Sequence, residues 1–361
     1  CIRDRSDAPG LQEFTLNEDE RYSVHIAAWL HDCGKVTSPE YVVDKATKLE
    51  TIYNRIHEIR TRFEVLRRDA DIIYLEGVIR GGDTQQLKAV RDSRYDELNS
   101  QFSLVAQANQ GDSPLTEEDI AQLNLIAKQT WHRHFDRHQG LSQDELNRLS
   151  SAGSAIETLP VTEQLLMDRP DHLINWGTNL PPVSKEDPRN IWGFDMRLPK
   201  HAYNYGELYN LLIQRGTLTE EERFKVNDHI VQTIIMLKSL PLPRKLRDVP
   251  NIAGNHHERI DGQGYPRRLD GGKLSIPERI LAIADIFEAL TASDRPYKPA
   301  KTLSESLRIL AFMARDKHID KMLFKLFLEA EVYIDYADTY LEPFQNDEVD
   351  KRSLLKLAEI S

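Results

Sequence analysis

The stretch ERYSVHIAAWLHDCGK, residues 20–35, decides how the rest of the chain is read. Across residues 19–31, Tyr22, Ile26, Trp29 and Leu30 recur at three- and four-residue intervals, the spacing of one face of an α-helix, and that face ends beside His31 and Asp32. Gly34 offers a stop just beyond it. An imidazole and a carboxylate side by side at a helix end can reach one metal ion or bridge two, and Lys35 can reach a phosphate oxygen. Adjacent His-Asp pairs also arise by chance, so these residues gain weight only from others along the chain.

Working outward, helical spacing dominates. From Ile52 the positions Ile56, Ile59, Phe63, Leu66, Ala70 and Ile73 step by threes and fours and predict a long packed helix. Gly81, Gly82 and Asp83 break it, and a second seam through Tyr95, Leu98, Phe102 and Val105 predicts the return arm of a helical hairpin. Ser113 and Pro114 read as the opening of a further helix. Residues 168–205, rich in proline and tryptophan, read as an irregular connection. Helical spacing returns in 219–238, 245–258, 277–292 and 303–315, with a short hairpin expected near 264–276. The fold class expected is all-α.

Composition narrows the function. The 361 residues are 40% hydrophobic, enough for a substantial core, and no apolar run approaches the roughly 18 residues of a membrane span. Two cysteines exclude a disulfide framework and suit a reducing cytosol. A net charge of −11 disfavours non-specific binding to a nucleic acid polymer, so an anionic substrate would need local cations or metal. The expected location is cytoplasmic, as a soluble piece of a longer protein, because the chain opens at Cys1 rather than methionine.

Two more segments carry chemistry. In Asn255-His256-His257-Glu258-Arg259-Ile260-Asp261-Gly262-Gln263-Gly264-Tyr265-Pro266, paired histidines on one helical turn would point about 100° apart and could serve neighbouring ions, with a tight glycine and proline loop beside them. A surface turn with solvated imidazoles is the bland alternative. Asp285 lies in Ile280-Leu281-Ala282-Ile283-Ala284-Asp285-Ile286-Phe287, where a carboxylate needs a cation or a hydrogen-bond partner, or else an exposed position.

The order of H-D-x-G-K at His31–Lys35, G-x-L-T at Gly216–Thr219, H-H-E-x-x-D-G-x-G-Y-P at His256–Pro266 and D-R-P-Y-K at Asp294–Lys298 resembles the HD-GYP family, over residues 20–44 and 206–315. The resemblance implies an HD-domain helical bundle that holds two or three divalent ions, iron or manganese, and hydrolyses a cyclic dinucleotide through a metal-bridging hydroxide. The substrate would be cyclic di-GMP, opened to pGpG or GMP, or cyclic GMP-AMP. It implies metal ligands at His31, Asp32, His229, His256, His257 and Asp285, with Asp32 and Lys35 catalytic. Arg295 and Lys298, with Lys35, would meet substrate phosphate, and Gly264, Tyr265 and Pro266 would shape a loop or partner contact. His57 is a weaker competitor for the His229 role, since it belongs to the hairpin seam.

The chain also departs from the pattern. The family carries a further histidine ligand upstream of the His-Asp pair, which His25 replaces poorly. The family domain is expected in 1–45 and 206–330, split by a helical insertion over 46–205 and followed by a helical extension over 331–361. The insertion is a candidate lid, homodimer arm or protein-partner platform; His132, His134 and His138 within it imitate ligand spacing without nearby acids. Two other readings stay open: a degenerate receptor or scaffold with a structural metal site, and a broader HD-type nucleotide hydrolase.

Overall fold

A computed structural model describes residues 14–153, 157–178, 180–292 and 300–360. Helix accounts for 57% of the described residues and strand for 4%, so the all-α expectation holds. Two compact units emerge, the first from residues 1–38, 181–198 and 226–361, the second from 39–180 and 199–225. No described helix is long and apolar enough to cross a membrane.

In the first unit the Glu18–Leu30 helix begins at Asn17, whose side chain accepts from Glu20 N–H while Glu20 answers the Asn17 N–H, a reciprocal cap that satisfies two end donors. The buried stripe matches the expected one only in part: Ile26 and Leu30 pack, partly buried, against the core around Ala27. Ser23 and Ala27 face inward, whereas Tyr22 is 47% and Trp29 77% exposed. The small side chains allow close packing against the Val249–Gly254 helix, with Leu237, Ile252 and Leu281 completing that core. A larger core joins the helices Ile276–Thr291, Leu303–Arg315, Lys321–Glu329 and Lys351–Leu357 around Phe287, Leu307, Leu310, Phe324 and Phe327. Ser275 and Thr302 cap the first two of these helices with Glu278 and Glu305.

Segment 245–258 is less helical than its spacing predicts. Helix covers only Val249–Gly254, and the paired histidines follow in a turn. Nor is there a hairpin at 264–276, where a loop leads to a short turn at Gly271–Lys273.

In the second unit the helical hairpin is present as Ile56–Ile79 and Thr84–Gln110, with Asp83 capping the return arm. Ile56, Ile59, Phe63, Leu66 and Ala70 are buried against Leu98, Val105 and Ala108, but Ile73 is 66% exposed, so the packed seam ends at Ala70. The helix expected to open at Ser113 and Pro114 begins at Glu117, because Thr116 and Asp119 form its cap. Two short antiparallel ladders escaped the sequence reading, Thr130–Arg133 with Val161–Gln164 and Leu173–Ile174 with Tyr203–Asn204. Each is too short to show alternation.

Candidate metal centre

All six residues nominated as ligands fall in the first unit. His31 caps the Glu18–Leu30 helix, and Asp32 opens the tight Cys33–Thr37 turn. A Cβ on Gly34 would stand 1.9 Å from the His229 carbonyl oxygen, so the turn reaches this place only because residue 34 has no side chain. Gly34 N–H donates to Thr233 Oγ1 at 2.9 Å, and that hydroxyl donates to the His31 carbonyl at 3.2 Å. Thr233 thereby ties the His-Asp turn to the Glu220–Ser239 helix, which carries His229. Asn255 makes a second tie. Its side-chain amide donates to Glu278 Oε1 at 2.7 Å, so the turn bearing His256 and His257 is joined to the capped start of the helix bearing Asp285.

Three of the four histidines are oriented alike. Nδ1 of His31, His229 and His256 lies 2.7, 2.5 and 2.6 Å from the carbonyls of Ala28, Val226 and Ala253, each three residues back. A carbonyl only accepts, so Nδ1 holds the proton and Nε2 is presented to the site, as in histidines that bind metal through Nε2. His31 Nε2 stands 3.3 Å from Asp32 Oδ2 and 3.6 Å from Asp285 Oδ1. His229 Nε2 stands 3.2 Å from Asp32 Oδ1 and 3.3 Å from His257 Nε2, while His256 Nε2 lies 4.0 Å from Asp32 Oδ1. Two groups with metal-ligand spacing result, His229 with His256 and His257, and His31 with His256 and Asp285. His256 belongs to both, and the two oxygens of Asp32 turn one to each side.

The residues fit divalent ions on two grounds. Asp32 Oδ1 and His256 Nε2 are buried and make no hydrogen bond among the described residues, an arrangement that costs roughly 1–3 kcal/mol per group unless something else binds there. Two ring nitrogens bonded to one ion at roughly 2.1 Å, with right-angled to tetrahedral geometry, lie roughly 3.0–3.4 Å apart, which matches the facing pair of His229 and His257.

Charge follows the same division. Burial opposes protonation of His31, but Asp285 and Asp32 outweigh it and raise the imidazole to about 10. Burial also opposes ionisation of Asp32 and Asp285, and the histidines around them hold both carboxyls below the ordinary range. Burial pushes His256 down to about 4 and His257 well below its ordinary value, so both are neutral and carry a lone pair. Lys35 Nζ lies 2.5 Å from Asp32 Oδ2 on a half-exposed side chain.

The glycine-tyrosine-proline loop does more than the sequence suggested. The Tyr265 ring stacks on His257 at 4.8 Å and 24°, and burial, followed by the nearby carboxylates, pushes its hydroxyl well above the ordinary value. A Cβ on Gly264 would stand 2.4 Å from Arg259 N, and Glu258 accepts from Arg267 N and Leu269 N at 2.7 and 2.9 Å, which fixes the loop. Pro266 is buried and its carbonyl accepts from Asp195 N at 2.7 Å. Thr233, Asn255 and Glu278 were missed because a hydroxyl, an amide and a capping acid are common in any helical sequence. Arg295 and Lys298 lie outside the described residues. His25 is exposed and edge-on to Trp29, and neither it nor His132, His134 or His138 joins a ligand group among the described residues.

Residues 160–323 match the family model described as HD domain. A 126-residue stretch is 45% identical to 3'3'-cGAMP-specific phosphodiesterase 1 of Vibrio cholerae, covering 34% of this chain and 28% of that protein. The cyclic di-GMP phosphodiesterase response regulator RpfG of Xanthomonas campestris is 30% identical over 224 residues, 61% of this chain and 55% of the relative. A cyclic di-GMP phosphodiesterase of Thermotoga maritima is 40% identical over 98 residues, 27% and 26% of the two chains. The chain thus spans less than two thirds of each of these relatives.

Proposed function

This chain carries an HD domain of the HD-GYP family, and from that premise we propose that it is a metal-dependent phosphodiesterase that opens a cyclic dinucleotide. The observation that carries the reading is the pair of ligand groups sharing His256, with Asp32 between them. HD domains depend on divalent metal; His31, Asp32, His229, His256, His257 and Asp285 would hold two or three ions, which we take to be iron or manganese. When bound, the ions supply Lewis acidity and lower the pKa of water.

The chain's own residues set the rest. The backbone carbonyls of Ala28, Val226 and Ala253 fix the imidazole tautomers, so no reorientation is needed when ligands engage. Lys35 is held by Asp32 at the open side, where its ammonium can neutralise a phosphate oxygen. Tyr265 keeps the His257 ring from rotating away. Arg295 and Lys298 are proposed as further phosphate contacts on the strength of their motif.

The substrate is left between two dinucleotides by the relatives themselves, since one is named for cyclic GMP-AMP and two for cyclic di-GMP. Protein loaded with Mn(II), or anaerobically with Fe(II), should hydrolyse at least one of them, and assaying both side by side identifies it. Full metal occupancy with no turnover of either would overturn the proposal.

A further inference from the structure

We propose that the arginine-lined cavity of the second unit binds a small phosphorylated anion of about mononucleotide size. The cavity holds about 430 Å³, in the lower part of the roughly 300–1,000 Å³ range of small-molecule sites. Five arginines line it, Arg55, Arg62, Arg137, Arg148 and Arg169, against four carboxylates. On a chain with a net charge of −11, a concave surface with an excess of guanidinium is out of character.

The four carboxylates are already engaged. Glu207 takes both forks of Arg62 at 2.7 and 2.9 Å, and Glu58 stands 3.6 Å from the same guanidinium. Asp171 lies 3.1 Å from Arg169, and Glu145 caps its helix through Ser142. Arg137 pairs with Glu157 at 3.2 Å and stands 4.0 Å from Asp171, which leaves Arg55 and Arg148 as the lining arginines without an ion pair among the described residues. Arg55 donates through Nε and Nη1 only to the carbonyls of Leu49 and Tyr205, its Nη2 makes no hydrogen bond, and no carboxylate pairs with it among the described residues. Arg148 lines the cavity on an exposed side chain with no ion pair among the described residues. Burial, and then the charge of Arg169, hold the His172 imidazole down at about 4, so it adds a neutral donor and acceptor rather than another charge.

Phosphate fits this arrangement because guanidinium forks match its oxygens two at a time. The remaining wall suits a flat organic body. The Tyr205 ring lies under Arg55 at 5.9 Å, Tyr41 adds a hydroxyl 3.4 Å from that of Tyr205, and Ile52, Leu149 and Ile174 supply apolar cover. Divalent cations are disfavoured, since every acid in the cavity has a partner.

The test uses the full chain, stripped of metal with EDTA and titrated calorimetrically with GMP, inorganic phosphate and uncharged guanosine. GMP and phosphate should bind saturably at one site, and guanosine should not. Arg148→Glu should weaken GMP at least about tenfold with an unchanged melting temperature, and Arg148→Lys should retain most of the affinity. Asp285→Ala should leave the binding intact, because that residue belongs to the metal centre. Failure of GMP and phosphate to bind at millimolar concentration, guanosine binding as tightly as GMP, or GMP binding that Arg148→Glu spares and Asp285→Ala removes would each overturn the proposal. None of these outcomes depends on whether the metal centre hydrolyses cyclic dinucleotides.

Discussion

Each unit buries a cluster of charged and polar groups, and the two clusters end differently. In the second unit Lys45, 6% exposed, donates to Asn210 and to both oxygens of Glu222 at 3.2, 2.9 and 2.8 Å. Lys48, 1% exposed, donates to the carbonyls of Leu211 and Ile213, and Glu207 takes Arg62 together with the Met167 N–H. These groups close on one another, although Arg55 of the same unit leaves its Nη2 without a hydrogen bond. In the first unit the imidazoles and carboxylates crowd together, yet Asp32 Oδ1 and His256 Nε2 end without a hydrogen bond among the described residues. Burial of charge is therefore not what marks a site. What marks it is buried charge whose partner the chain itself does not supply.

The largest effect should come from removing Asp285. Asp285→Ala should lower cyclic-dinucleotide hydrolysis by more than the about 10–100-fold typical of losing an outer-shell partner, with a matching fall in bound metal by elemental analysis, while the metal-free protein melts no lower. Retained activity would break the distinction between the clusters. Next comes Lys45→Met, which leaves Glu222 buried without its cation and should cost about 3–5 kcal/mol in denaturant unfolding, with no change in metal content. Lys45→Met combined with Glu222→Gln should recover much of that loss, because neither charge is then buried alone and the amide can still cap Thr219 N–H.

Metal itself should stabilise by about 2.7 kcal/mol at a concentration 100 times its dissociation constant. Raised Mn(II) should lift the melting temperature of the parent chain and not that of Asp32→Ala. The smallest effect separates burial from ligand geometry. His318 is an imidazole of the first unit outside both ligand groups, and burial lowers it to about 4. The unfolded chain binds that proton near pH 6.5, so between pH 6.5 and 4 it holds more protons than the fold; stability is full above 6.5 and is lost as pH falls through that window. His318→Gln should flatten the slope in metal-free protein by at most about 1.4 kcal/mol per pH unit.

Much of this was legible in the residues. Heptad-like spacing placed the Ile56–Ile79 and Thr84–Gln110 arms, because a two-helix seam repeats often enough to exceed chance. Motif order nominated six residues that the fold then gathers within one unit, though 253 positions separate Asp32 from Asp285. Local spacing misled where burial is decided by partners. Trp29 and Tyr22 look like a core face and stand exposed, because the helix turns Ser23 and Ala27 inward to its neighbour instead.

Sequence by itself determined the helical class, the resemblance to the HD-GYP family and which residues to nominate as ligands, because periodicity and rare side chains in order are properties of the chain alone. Tertiary structure decided how those ligands face one another. The carbonyls that orient His31, His229 and His256, the hydroxyl of Thr233, the Asn255 link to Glu278 and the Tyr265 ring against His257 act through distances of a few ångströms between segments far apart in sequence. Hydrogen bonding and ring stacking act only at such range, so they exist once the helices have packed and not before.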